Sequence, residues 1–152
     1  MDQISFQDQG AIEHCYGCGA NNSHGLQLKS YWRDDTAVAE FTPQSFHCAG
    51  STEIVYGGLI AGLIDCHSCN LAAAYLYKSE GRRIGSNPRI GCVTAQINVS
   101  LLKPCAISRP VEFEAQVRSI ERSKIWVDCL VRSGEDEVAK GEVLVIRLKD
   151  AM

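Results

Sequence analysis

Between Tyr56 and Tyr77 the chain carries one formal charge, the carboxylate of Asp65. Around it Leu59, Ile60, Leu63, Ile64, Leu71, Ala73, Ala74 and Leu76 recur at spacings that cover most of a helix circumference. An apolar stripe that wide predicts a helix enclosed by other structure, with Asp65 largely buried. A buried carboxylate must be hydrogen-bonded by its neighbours, here Ser68 or Asn70, or be retained for chemistry as a base or nucleophile. Eight residues earlier Gly57 and Gly58 mark the helix start, where unpaired N–H groups and the helix dipole favour a developing negative charge. Over that stretch a helix rises roughly 12 Å, so one chain cannot aim both groups at one reacting atom. Two helices packed antiparallel about a two-fold axis would bring Gly57 of one subunit to Asp65 of another. Gly62 and the run Ala72 to Ala74 suit such close packing.

Cysteine is the other residue type able to do chemistry. The pairs Cys15-x-x-Cys18 and Cys66-x-x-Cys69 have the spacing of a four-thiolate zinc site. The second pair falls inside the predicted helix, away from any knuckle turn, so no metal is assigned. Cys66 and Cys69 also lack the helix N-terminal position that a thioredoxin-like pair uses. All eight cysteines are read as reduced thiols, in keeping with a start (Met1, Asp2, Gln3) that has no secretory signature. That places the protein in the cytoplasm. His67 reads as a satisfied core histidine.

The elements that position these residues follow from periodicity. Residues 1–25, with Gly17, Gly19, Asn21, Asn22 and Gly25, form an irregular leader, and residues 26–150 form one domain. Alternation from Leu26 to Trp32 and from Thr36 to Phe41 predicts a hairpin, followed by a loop through Pro43 and His47. The helix runs from Gly57 to about Lys78, with Gly81 as its stop, a length of about 31 Å. A polar loop then leads to an unbroken alternation of Val93, Ala95, Ile97, Val99 and Leu101, ending at Lys103-Pro104. Three more strands follow, near residues 111–118, 125–131 and 137–149, with Gly141 marking a bulge where the apolar face changes. Strand, strand, helix and four strands joined by short turns predict an α+β domain: a curved antiparallel sheet of about six strands wrapped around one helix, the hotdog arrangement.

Net charge −3 and scattered basic residues exclude nucleic acid as the main partner. The run Ile54–Ile64 is too short to cross a bilayer, so no membrane span is expected.

The segment Val55-Tyr56-Gly57-Gly58-Leu59-Ile60-Ala61-Gly62-Leu63-Ile64-Asp65 resembles the V-H-G-G-x-x-A-x-L-x-D segment of hotdog-fold acyl-CoA thioesterases of the 4-hydroxybenzoyl-CoA and phenylacetyl-CoA type. Cys15-Tyr16-Gly17-Cys18-Gly19 with Gly25-Leu26, then Phe46-His47, Val93-Thr94 and Lys103-Pro104, support the resemblance. The one departure is Tyr56, standing where the family usually has histidine; a phenol there can still donate a hydrogen bond. The resemblance implies hydrolysis of an acyl-CoA thioester by a homodimer or dimer of dimers, with no cofactor. Thioester hydrolysis needs a polarised carbonyl and an activated nucleophile. Asp65 would be the base or nucleophile, the Gly57 amide the oxyanion donor, and Thr94, by resemblance, would place the water. Tyr56, Gly58 and the His47 loop would border the acyl pocket, and Arg82, Arg83, Lys103 and Arg122 in loops or at strand ends would meet the CoA phosphates. Thr94 falls on the polar face of its strand, so it reaches the site only where that strand end meets the dimer seam. The alternative is a non-catalytic acyl-CoA-binding hotdog domain; a hydratase on this fold lacks its Asp/His pair here.

Overall fold

The computed structural model describes residues 3–10 and 12–151; Met1, Asp2, Ala11 and Met152, three of them in the expected leader, lie outside the described residues. A short helix α1 (Phe6–Gln9) precedes strands β1 (Ser30–Arg33) and β2 (Thr36–Phe41). A 3-10 turn (Ser45–His47) leads to the long helix α2 (Gly57–Ser79). Strands β3 (Cys92–Leu101), β4 (Val111–Glu121), β5 (Lys124–Ser133) and β6 (Asp136–Arg147) complete the chain. The strands form one antiparallel sheet in the order β1-β2-β4-β5-β6-β3. This is the hotdog fold: α2 carries the chain from β2 to the far edge, and the sheet curves around it.

The helix forms where the sequence places it because both ends are signalled locally. Gly81 takes φ +65° and donates to the Lys78 carbonyl while Arg82 N–H donates to Tyr77, a paired closure that satisfies the last carbonyls. Ile60, Leu63, Ile64, Leu71, Ala74 and Leu76 meet Val127, Val131, Val143 and Val145 of the sheet in a single core. By length and composition α2 could cross a bilayer, which the run 54–64 alone could not; 56% of its most apolar window is buried inside the protein, and it is the core helix.

Four local expectations are corrected. The alternation in β3 is broken after all: Thr94 pairs with Val145 and Gln96 with Leu144, so Ala95 is an extra, bulged residue. The bulge of β6 sits at Val138, between Glu137 and Ala139, and not at Gly141. Gly141 answers to the helix instead, because a Cβ there would stand 2.6 Å from Cγ2 of Ile64. Nor is the leader without core character: Phe6 and Cys18 are 2% and 1% exposed. Strand β1 begins only at Ser30, because Gln27 turns through φ +52° and Leu28 N–H donates to Gly17 of the leader.

His67 locks these layers together. It is fully buried; its Nε2–H donates to the Ala37 carbonyl (3.1 Å) and Nδ1 accepts from the Ser30 hydroxyl (2.8 Å). Gln7 donates to the same hydroxyl and accepts from Ser30 N–H, so α1, β1, β2 and α2 meet at one hydrogen-bonded chain. Burial pushes the imidazole down from 6.5 to about 4, against a smaller opposing effect of the Ala37 bond. The unfolded chain therefore takes up this proton first, and the contribution present above about pH 6.5 is lost as pH falls toward 4. The expected loss between those values is about 3 kcal/mol. Urea unfolding across that range should show this slope in the wild type, and His67→Gln should flatten it.

Candidate active site

Asp65 lies midway along α2, on the stripe that the sheet does not cover. Gly58 and Gly62 on that stripe are exposed, Asp65, Cys66, Cys69 and Ala73 half-buried. Asp65 is thus less buried than the apolar run around it suggests, because the stripe opens into a cavity of about 610 Å³. The leader (Glu13, His14, Cys15, Cys18) forms one wall of that cavity and the start of β3 (Cys92, Val93, Thr94) with Arg89 forms another. No hydrogen bond or ion pair to the Asp65 carboxylate is found among the described residues. Neither expected cap reaches it: the Asn70 amide donates to the Cys66 carbonyl (2.7 Å) and Cys18 Sγ (3.3 Å), and Ser68 is fully buried beside Cys129. A carboxylate free of partners in a cavity is positioned to act on something that enters it.

Thr94 shares this cavity because of the Ala95 bulge. Directly paired residues of an antiparallel ladder share a face, and Thr94 pairs with Val145, which is fully buried toward α2. Its hydroxyl lies against Cys69, whose thiol burial pushes up to about 12. Thr94 therefore reaches the Asp65 cavity within its own chain, with no need of a strand end at a dimer seam.

The other half of the predicted constellation faces elsewhere. Gly57 and Gly58 open α2; the first intrahelical bonds start at Leu59 and Ile60, Tyr56 makes no side-chain cap, and no acceptor for either glycine N–H is found among the described residues. A Cβ on Gly57 would touch Cδ1 of Leu101, and one on Gly58 would strike the Tyr56 ring, which lies over it. Tyr56, 58% exposed, lines a second cavity of about 520 Å³ with His47, Phe46, Tyr16 and Leu59. The His47 ring packs on Phe41 and Phe46, and its Nδ1 accepts from Gln44 N–H (2.9 Å). Burial holds this imidazole below its usual value, and its carbonyl accepts from Tyr56 N–H, tying the loop to the helix entry. Asp65 with Thr94 and Tyr56 with His47 thus line separate cavities of one chain, and Gly57 lines neither.

The basic residues divide as well. Arg82 is occupied within its own loop: it pairs with Glu80 (2.8 Å), donates to the carbonyls of Ser86 and Pro88, and lies over the Tyr77 ring. Lys103 is exposed and pairs with Asp136 (3.0 Å). Arg122, at φ +55°, closes the β4–β5 turn, and Arg83 is exposed in the loop after α2. Arg89, on the cavity wall itself, was not singled out by the sequence, since its loop carries no recognisable pattern.

Over Asp65 three sulfurs converge. Sγ of Cys15, Cys18 and Cys66 all lie within 4.8 Å of one another, the Cys15 and Cys66 sulfurs 3.7 Å apart. The neighbouring Cys66 thiol, with help from Asn70 and Cys15, lowers the Cys18 thiol against the effect of burial, while the same contact and burial push Cys66 upward.

A family model described as the thioesterase superfamily matches residues 52–140, and the chain belongs to that family. The crystal structure of a thioesterase superfamily protein from Shewanella loihica is 32% identical over 85% of this chain and 97% of its own, with TM-score 0.66. Two more distant structures share the fold. The E. coli PaaI protein from the phenylacetic acid degradation operon is 16% identical over 83% of each chain, with TM-score 0.67. A protein of Pyrococcus horikoshii is 17% identical over 93% of this chain and 98% of its own, with TM-score 0.68. Among curated proteins none matches.

The tight seat of Cys66 can be tested directly. A Cβ on Gly17 would stand 2.2 Å from Cys66 Sγ, so Gly17→Ala forces the leader off the helix. The expected cost is about 1–3 kcal/mol of unfolding free energy, and adding Cys66→Ala should recover most of it in a urea titration.

Proposed function

We propose that the protein is an acyl-CoA thioesterase whose active sites are shared between two subunits, each site taking Asp65 and Thr94 from one chain and the Gly57 N–H from the other. The observation that carries this reading is the division of the constellation: a partner-free carboxylate in a cavity midway along α2, and partner-free N–H donors at the start of the same helix. A rigid α2 holds them apart, so only a second copy completes either half. An exposed apolar sheet edge supports such a copy. Ile97, Leu101 and Leu102 on and after edge strand β3 are 41%, 56% and 46% exposed, and Gly62 has open space in front of it.

In the reaction, the Gly57 N–H binds the thioester carbonyl and stabilises the negative charge that develops on its oxygen. Asp65 takes the proton of a water held by the Thr94 hydroxyl, and the hydroxide attacks the acyl carbon; alternatively the carboxylate attacks directly and water resolves the anhydride. CoA leaves as the thiol and the acid is released. Tyr56 and His47 border the acyl group, and Arg83, Lys103, Arg122 and Arg89 are the cations available to the phosphates.

Purified protein given a panel of acyl- and aryl-acyl-CoA esters should release free thiol. Asp65→Asn should lower the rate by roughly 10²–10⁴-fold. Gly57→Pro deletes the donor at a helix position that accepts proline, and should cost roughly 10²–10³-fold. Mixing the two inactive variants tests the shared site: half of random dimers are mixed and carry one intact site, so about a quarter of wild-type activity returns. Saturable binding of every ester without thiol release would make the protein a binding domain, a reading that Tyr56 in the histidine position would then explain. Failure of the mixed dimers to regain activity would end the shared-site model.

A further inference from the structure

We propose that Cys15, Cys18 and Cys66 form a zinc-binding site that clamps the leader onto the central helix beside Asp65. The inference does not depend on the hydrolase reading. Zinc held by thiolates at about 2.3 Å in a tetrahedron sets its sulfurs about 3.8 Å apart. The Cys15–Cys66 separation is 3.7 Å, and all three sulfurs fall within 4.8 Å of one another. Although Cys66 and Cys69 sit inside a helix, away from any knuckle turn, α2 contributes one sulfur only, Cys66, and Cys69, one turn on, is not part of the triad.

The leader has the build of a metal knuckle. Gly19 N–H donates to the Cys15 carbonyl (2.8 Å), Asn21 N–H to Glu13 (2.9 Å) and Leu26 N–H to Tyr16 (2.8 Å), so the Cys15-x-x-Cys18 turn is fixed by backbone bonds and not by the sulfurs. Glycine is required at two positions in it. A Cβ at Gly17 would occupy the Cys66 sulfur's space, and one at Gly19 would lie 2.5 Å from Cys15 N. An outer contact is also in place: the Asn70 amide donates to Cys18 Sγ and to the Cys66 carbonyl, a hydrogen bond of the kind that orients metal-bound thiolates. Three soft sulfur ligands select zinc or another thiophilic ion over calcium or magnesium. The fourth tetrahedral position falls to a water from the adjoining cavity. Each thiol that enters the shell gives up its proton, so binding releases protons to the buffer.

The test uses the full chain, purified under reducing conditions, stripped with chelator and titrated with zinc or cobalt(II). Expected are one ion per chain by elemental analysis, the thiolate-to-cobalt charge-transfer and tetrahedral d–d absorption bands, and a lower Tm after stripping. Cys18→Ser and Cys66→Ser should lose the cobalt spectrum, and Cys48→Ser, outside the cluster, should keep it. Asn70→Ala should bind roughly 10–100-fold more weakly. Circular dichroism checks that each variant is folded; the wild-type stoichiometry decides the matter even where one is not. Folded, reduced wild-type protein that takes up no ion would overturn the proposal. So would a Cys15–Cys66 disulfide in the protein as isolated, or a cobalt spectrum that survives Cys66→Ser.

Discussion

A helix that is apolar on nearly every side cannot rest on a flat surface, because whatever face is left in water loses the burial that orders it. That constraint shapes the whole molecule. The sheet must curve around α2, and its strands must be long enough, as β3 to β6 are, to reach past the helix on both sides. What the sheet leaves open is the stripe from Gly58 through Asp65 to Ala73. The leader roofs the C-terminal half of that stripe, and the N-terminal half, with Gly58 and Gly62, stays exposed. The cavity over Asp65 exists because the roof and β3 meet there without closing.

Within that enclosure the helix also acts as a ruler. Its backbone bonds fix the separation between the free N–H groups at Gly57 and the carboxylate at Asp65, and no side-chain rotation shortens it. Within a single chain the two groups therefore stay apart. The β3 bulge works in the opposite direction: by adding Ala95 it turns Thr94 inward and brings it to Asp65 inside one subunit. One irregular residue decides on which side of the sheet a hydroxyl appears.

The leader is bound to the domain by chemistry as much as by packing. Phe6 packs on Trp32, Gln7 and Ser30 share a hydrogen-bond chain with His67, and three sulfurs meet between the knuckle and α2. Asn70 links Cys18 to the helix turn that carries Asp65. Anything that alters the sulfurs is therefore transmitted to the wall of the Asp65 cavity.

Much of this was legible before the fold was known. The apolar circumference of α2, the Gly57-Gly58 start, the Gly81 stop and the period-two runs define the elements, because each rests on local backbone chemistry or on the face a residue must bury. The same reasoning set Gly57 and Asp65 roughly 12 Å apart along the axis, since a helix has a fixed rise. The bulges at Ala95 and Val138 were not legible, because a bulge leaves an alternating sequence unchanged and becomes visible only in the partner strand's register. The half-burial of Asp65, the engagement of Arg82 within its own loop and the meeting of Cys15 and Cys18 with Cys66 were likewise decided by tertiary structure. They are contacts between segments far apart in the chain, and no local pattern records which of two helix cysteines will face the leader.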